Sequence, residues 1–384
     1  MKKVLLLLLA AGGLAAFGAA TQVNTSAAAP SAAGASTVAC TSASIGIAAP
    51  LTGPAAFLGQ EQLSWTQFAV QRFNTQNRTS FKLVQGDTQL SAALARTVAR
   101  QFAANSSMVG VVGPSTSQAV ISGAPLFRRS SLAAVSGSAT RVDLTNGQFP
   151  TFFRVVPNDS VQAPDVVRYI SQTLKARRVL IIDSQDDYST ALATAMEPGF
   201  RRANVTVDRE SVAASDTDFS SIVSGIEDDV SVVVFATQTA SAAQTLSQQL
   251  LEQGKRAVVF GTDGAFQPAQ FKPRNGYVSV FARDIKQIRA QAALVRAYNT
   301  FSRNKSFGSF GPPSYVAATV LMTSMRDACR RGNDVTRAEV LAGVRRANLP
   351  SILGGRVNFT RRGDVANPKF FIFRIQNGTY RAVG

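Results

Sequence analysis

From Ile45 onward the chain alternates short β-branched runs with amphipathic stretches, a pattern that a mostly parallel sheet covered by helices buries well. Ile45–Ala49 reads as the first strand. The helix after it runs from about Glu61, because Trp65, Ala69 and Phe73 are spaced four apart and fall on one face. Phe81–Gln85 is the second strand, and Leu90, Leu94, Val98 and Phe102 repeat the helical spacing before Val109–Val112. Further strands are predicted at Leu132–Val135 and Phe152–Val156. The rhythm then restarts at Val179–Asp183, Val205–Val207, Val232–Ala236 and Ala257–Phe260, so two α/β units follow one another. Helices over about Ile288–Ser302 and Tyr315–Arg330 and a last strand at Phe370–Ile375 complete the expected order.

The amino terminus carries a different signal. Lys2 and Lys3 precede an apolar run, Val4–Ala20, that ends in small residues, which predicts a secretory signal over residues 1–20 and an exported chain. A Ser/Ala/Thr-rich linker follows over residues 21–42, and no later apolar segment reaches membrane-spanning length. In an oxidising compartment the two cysteines, Cys40 and Cys329, have three readings: a disulfide, free thiols, or a lipid on Cys40 as a first mature residue.

Net charge is +17, carried by 31 Arg and 9 Lys against 23 acids, and there is no His. The cations are scattered, with pairs such as Arg177-Arg178 and Arg361-Arg362 not interleaved with aromatics, so we read them as solvated surface and expect no nucleic-acid partner. The missing His removes the commonest proton shuttle and metal ligand. No nucleophile elbow, Walker loop, dinucleotide fingerprint or Cys/His cluster occurs. A lone Ser-x-x-Lys at Ser302–Lys305 lacks the partner motifs of a serine acylase. The expectation is a protein that is not an enzyme and uses no cofactor.

What recurs instead is a small polar cluster directly after a strand, where parallel sheets present ligands and helices open with unpaired N–H groups. Gly113-Pro114-Ser115-Thr116-Ser117 and Ser136-Gly137-Ser138-Ala139-Thr140 offer hydroxyls and backbone donors suited to a carboxylate, or serve simply as helix caps. Gly261-Thr262-Asp263-Gly264 supplies an acid, suited to an ammonium or to a capping role. Together they would complement a zwitterion.

In the order and spacing of IGIAAPLTGPAAFLG, FKLVQGDTQ, VVGPSTS, VSGSAT, FFRVVPNDS, VLIIDSQDDYS, DTDFSSIV, GRVNFTRRGD and FFIFRIQNG, the chain resembles the type I periplasmic binding proteins of the leucine/isoleucine/valine-binding family, the solute-capturing subunits of ABC importers. The resemblance implies an α/β fold of two Rossmann-like lobes joined by a three-strand hinge. Lobe one would hold residues 43–157 and 284–358, and lobe two residues 158–283 and 359–384. It implies that Ser117 and Thr140, with the main chain at Ser138 and Ala139, bind an α-carboxylate, that Asp263 pairs with the α-ammonium, and that Tyr188 covers the solute. The pattern is departed from at Gln238 and Leu58, where branched-chain binders carry aromatics, so an amide, a hydroxylated or another small amino acid competes with leucine. The implied partners are a small solute and a membrane permease, the protein working as a monomer in the periplasm or on the outer face of the cytoplasmic membrane. A receptor-type sensing domain of the same fold and an envelope-bound protein held by its charge are the competing readings.

Overall fold

The computed structural model describes residues 37–303 and 308–383; the expected export signal Met1–Ala20, most of the linker and Lys305 lie outside them. Two sheets organise the chain. The first has five parallel strands in the order Lys82–Asp87, Ser44–Ala49, Met108–Val112, Ala133–Ser136, Phe152–Arg154. The second repeats that order with Thr206–Ser211, Arg178–Asp183, Val232–Ala236, Val258–Gly261 and Asn275–Val280, then adds the antiparallel strands Phe371–Gln376 and Thr379–Ala382 at its edge. In both sheets, therefore, the first strand in chain order is flanked by the second and third, a doubly wound arrangement whose crevice lies at the carboxyl ends of the strands.

Central strands such as Met108–Val112 and Val232–Ala236 are buried along their whole length, which is why they read as continuous apolar runs without alternation. The helix Ala56–Asn77 packs on Gly311–Gly332, which also lies against three strands of the first sheet. Trp65 is wholly buried and stacks on Tyr298 at 3.8 Å between ring centres, tying Ala56–Asn77 to the late helix Ala292–Ser302. Truncating such a core indole costs about 3–5 kcal/mol. The chain thus passes between the two sheets three times: after Arg154, after Val280, and between Asn358 and Phe371.

Several elements differ from expectation. The helix after the first strand begins at Ala56, ahead of Glu61. Leu90 has φ +61° and precedes the helix Ala92–Ala104, whose buried face is Ala95, Val98, Ala99 and Phe102, leaving Leu94 37% exposed. Single 3-10 turns precede Ala292–Ser302, and the next helix opens at Gly311, four residues before Tyr315, on the prolines Pro312 and Pro313 that suit a first turn. Asn275–Val280 was not anticipated as a strand, and Phe371–Gln376 is not the last one.

Cys40 and Cys329 are joined in a disulfide with Cα atoms 5.9 Å apart. Beside it Val38–Ala39 pairs with Asp334–Val335, fastening the start of the described chain to the end of Gly311–Gly332.

Candidate functional site

Loops that follow the first, third and fourth strands of each sheet, in chain order, line one cavity and form its two lips. In the first lip, Gly113 takes φ +101°, where any Cβ would lie 2.6 Å from the Ala48 carbonyl, so the chain turns sharply into the helix Ser117–Arg129. No side chain caps that helix: Thr116 stands at the N-cap position without a cap hydrogen bond, and its Oγ1 is buried without a partner. The first-turn N–H groups therefore face the cleft carrying the positive end of the helix dipole. The Ser117 hydroxyl, 1% exposed, accepts from Arg141 N at 3.3 Å. Behind it, the Ser138 hydroxyl donates to Ser115 O at 2.6 Å and accepts from Gln62 Nε2 at 2.7 Å, while the Ser138 and Ala139 N–H groups donate to Ser136 Oγ. Those two main-chain donors are thus used within the chain.

The second lip is acidic. Asp263 is 3% exposed and accepts from the Tyr188 hydroxyl at 2.6 Å and from Gln162 Nε2 at 2.7 Å. Burial is the main cause that lifts its carboxyl from 3.8 to about 6. Asp159, at the start of the helix Asp159–Arg168, is lifted further: burial first, then the Asp263 charge, push it to about 8. Neither Asp159 oxygen has a hydrogen-bond partner among the described residues, and the Thr140 hydroxyl that faces it closes no bond of ordinary geometry. The Tyr188 phenol is held well above its usual range by burial and by both acids, so it donates and does not ionise.

Leu58, Ser117, Ser138, Tyr188, Gln238 and Asp263 come together around a cavity of about 10 Å³ that Phe310 also lines. Thr140 and Ala139 lie outside that lining, Thr140 receiving Asp159 N at 2.9 Å and Ala139 O accepting from buried Arg154 at 3.2 Å. Contacts join the lips: Gln238 Nε2, which also reaches Asp186 of its own lip at 3.0 Å, reaches Gln118 Oε1 at 3.3 Å, and Arg141 reaches Asp187 at 3.2 Å. Asp159 and Gln162 were not singled out from the sequence. Their signal was available in FFRVVPNDS and the Val161-Gln162 that follows it: an acid shortly past a strand end, with an amide three residues on along the same helix face.

Residues 42–379 match the family model described as periplasmic binding protein. The chain belongs to the periplasmic binding protein family. Among its relatives in that family, the Leu/Ile/Val-binding protein homolog 3 of Brucella melitensis is 24% identical over 87% of this chain and 91% of that one. A leucine-, isoleucine-, valine-, threonine- and alanine-binding protein of Pseudomonas aeruginosa is 22% identical over 86% and 88%. In three dimensions the chain resembles the leucine-binding protein LivK of Thermotoga maritima, with a TM-score of 0.79 and 20% identity over 89% of this chain and 98% of that one. It also resembles Streptococcus pneumoniae LivJ, solved with isoleucine, at 0.77 and 21% over 89% and 99%. The two-lobed type I fold is the periplasmic binding protein architecture.

Proposed function

We propose that this periplasmic binding protein captures a small α-amino acid as its zwitterion and delivers it to a membrane permease of an ABC importer. The observation that carries this reading is a group of unpartnered buried polar atoms gathered at the cleft. Both Asp159 oxygens and Gln162 Oε1 gather on one lip, and the Thr116 and Thr140 hydroxyls on the other. Orphaned buried acceptors facing orphaned hydroxyls and an uncapped helix are what a bound ammonium and carboxylate would satisfy, each charge-assisted hydrogen bond contributing about 1.5–3 kcal/mol. On this reading the carboxylate sits at Ser117 and the first turn of its helix, and the ammonium lies between Asp159 and Asp263 beneath Tyr188. Leu58, Phe310 and Gln238 border the side chain.

The branched-chain, threonine and alanine specificities in the relatives' names support a solute of the same size class. The cavity beside Tyr188 and Asp263 holds only about 10 Å³, so entry of an amino acid there requires the lips to part. Residues 43–157 with 284–358 would move against residues 158–283 with 359–384 about the three crossings. Export, monomeric action and the permease partner belong to the same proposal. The test is a thermal-shift screen of the mature protein against free amino acids, their methyl esters and their N-acetyl forms. Free amino acids should stabilise it and both blocked forms should fail; an N-acetyl form binding as well as its parent would sink the reading.

A further inference from the structure

A larger cavity, about 430 Å³, lies where all three crossings meet: its walls include Val155 from the first, Phe281 and Arg283 from the second, and Lys369 from the third. That volume falls within the range of small-molecule sites. Its floor is apolar, with Phe281 and Phe371, and its rim carries Arg283, Arg356 and Lys369 with no acidic side chain among the lining residues. These three exposed cations have no carboxylate partner among the described residues. The Arg283 guanidinium lies over the Phe371 ring at 5.7 Å, and Arg356 is held in place by Asn348 through bonds of 2.7 and 2.6 Å. Three cations without counter-charges around an apolar floor match an anion that carries an apolar body: the carboxylate meets the guanidinium and ammonium groups, and the ring or alkyl part covers Phe281 and Phe371.

We propose that this cavity is a second ligand site, for a small amphipathic monoanion such as an aromatic carboxylate, and that its occupation favours the present arrangement of the lobes. The second half follows from the walls. Segments that turn as the lobes part all contribute to the cavity, so a ligand shaped to it binds the two arrangements unequally and shifts their populations. By linkage it tightens solute binding, and the solute tightens it, by one common factor. Only this coupling rests on the amino-acid reading of the cleft; occupation of the cavity does not.

Calorimetric titration of the mature protein with benzoate tests it, with benzyl alcohol as the uncharged control. Saturable benzoate binding is expected, weakened at least about tenfold in the double variant Arg283→Gln/Lys369→Gln and retained in Ser117→Ala, which alters the carboxylate position of the cleft, with benzyl alcohol silent. Absence of saturable benzoate binding at millimolar concentration overturns the site, as does unchanged binding in the double variant. A tenfold or greater loss of benzoate binding in Ser117→Ala would place the anion in the cleft and overturn it too. If benzoate binds as expected but leaves the affinity for the free amino acid unaltered, the coupling is overturned while the site stands.

Discussion

The two lips of the cleft are built on the same strand order and end at equivalent strand tips, yet they carry opposite chemistry. The first presents Ser115, Thr116, Ser117 and Thr140, all buried and none charged, beside an uncapped helix. The second presents Asp159, Asp263 and Tyr188, equally buried, with carboxyls lifted to about 8 and about 6. Shared topology fixes where a ligand sits, and the difference between lips fixes which way round it lies. The electrostatic cost also falls on one side: neutral hydroxyls tolerate a dry site, whereas two neighbouring carboxyls resist sharing one until a cation arrives.

Replacing the acids should produce the largest effect. Removing one partner of a buried charge pair costs about 3–5 kcal/mol, so Asp159→Asn or Asp263→Asn should lower affinity for a free amino acid by about two to four powers of ten in calorimetry. Asp263→Ala should abolish zwitterion binding while sparing a plain carboxylate. Without ligand, Asp159→Asn should melt higher than wild type at pH 8, because a buried carboxyl that resists ionisation is gone; a lower melting point would mean that Asp159 serves folding and not capture.

Next in size is the pH dependence of the ligand-free protein. Asp159, Asp263 and Glu61, the last lifted from 4.5 to about 7 chiefly by burial, all have folded values above their unfolded ones. Their stabilising contribution is complete below the unfolded values and is lost as pH rises through about 6 to 8. Asp87 and Asp183, held low by hydrogen bonds that outweigh their desolvation, act in the opposite sense and withdraw stability as pH falls below 3.8. Thermal midpoints should therefore peak in mildly acidic solution, and saturating amino acid should flatten the alkaline decline.

On the neutral lip, Ser117→Ala should weaken binding by roughly ten- to a hundredfold, the worth of one hydrogen bond to a charged group. The loss should hardly vary with pH, unlike any loss on the acidic lip. Smallest is Arg141→Gln. The Arg141–Asp187 pair joins the lips but is solvent-exposed, so its removal should change affinity by no more than about 1 kcal/mol, and less at high salt.

Much of the doubly wound architecture was legible because buried parallel strands leave unbroken Val/Ile runs such as Val232–Ala236. Asn275–Val280 escaped because it opens on Asn-Gly and carries buried Ser279, which hydrogen-bonds Gln162 rather than packing as an apolar residue. Leu94 shows the limit of spacing: three residues shared its period, yet the helix turns a neighbouring face, led by Ala95, to the sheet. In the cleft, Ser117, Tyr188 and Asp263 stood out at strand ends. Asp159 did not, because its significance lies in proximity to Asp263, more than a hundred residues away, and sequence spacing carries no trace of that distance.

The central claim is that an ammonium takes the place of a proton between Asp159 and Asp263, and proton counting tests it most directly. Titrating a free amino acid into the mature protein at pH 7, in buffers of different ionisation enthalpy, should show release of about one proton per solute bound, because Asp159, lifted to about 8, is still largely protonated in the empty cleft. Asp159→Asn should abolish most of that release. Binding heats independent of buffer in the wild type, or proton uptake, would contradict the account.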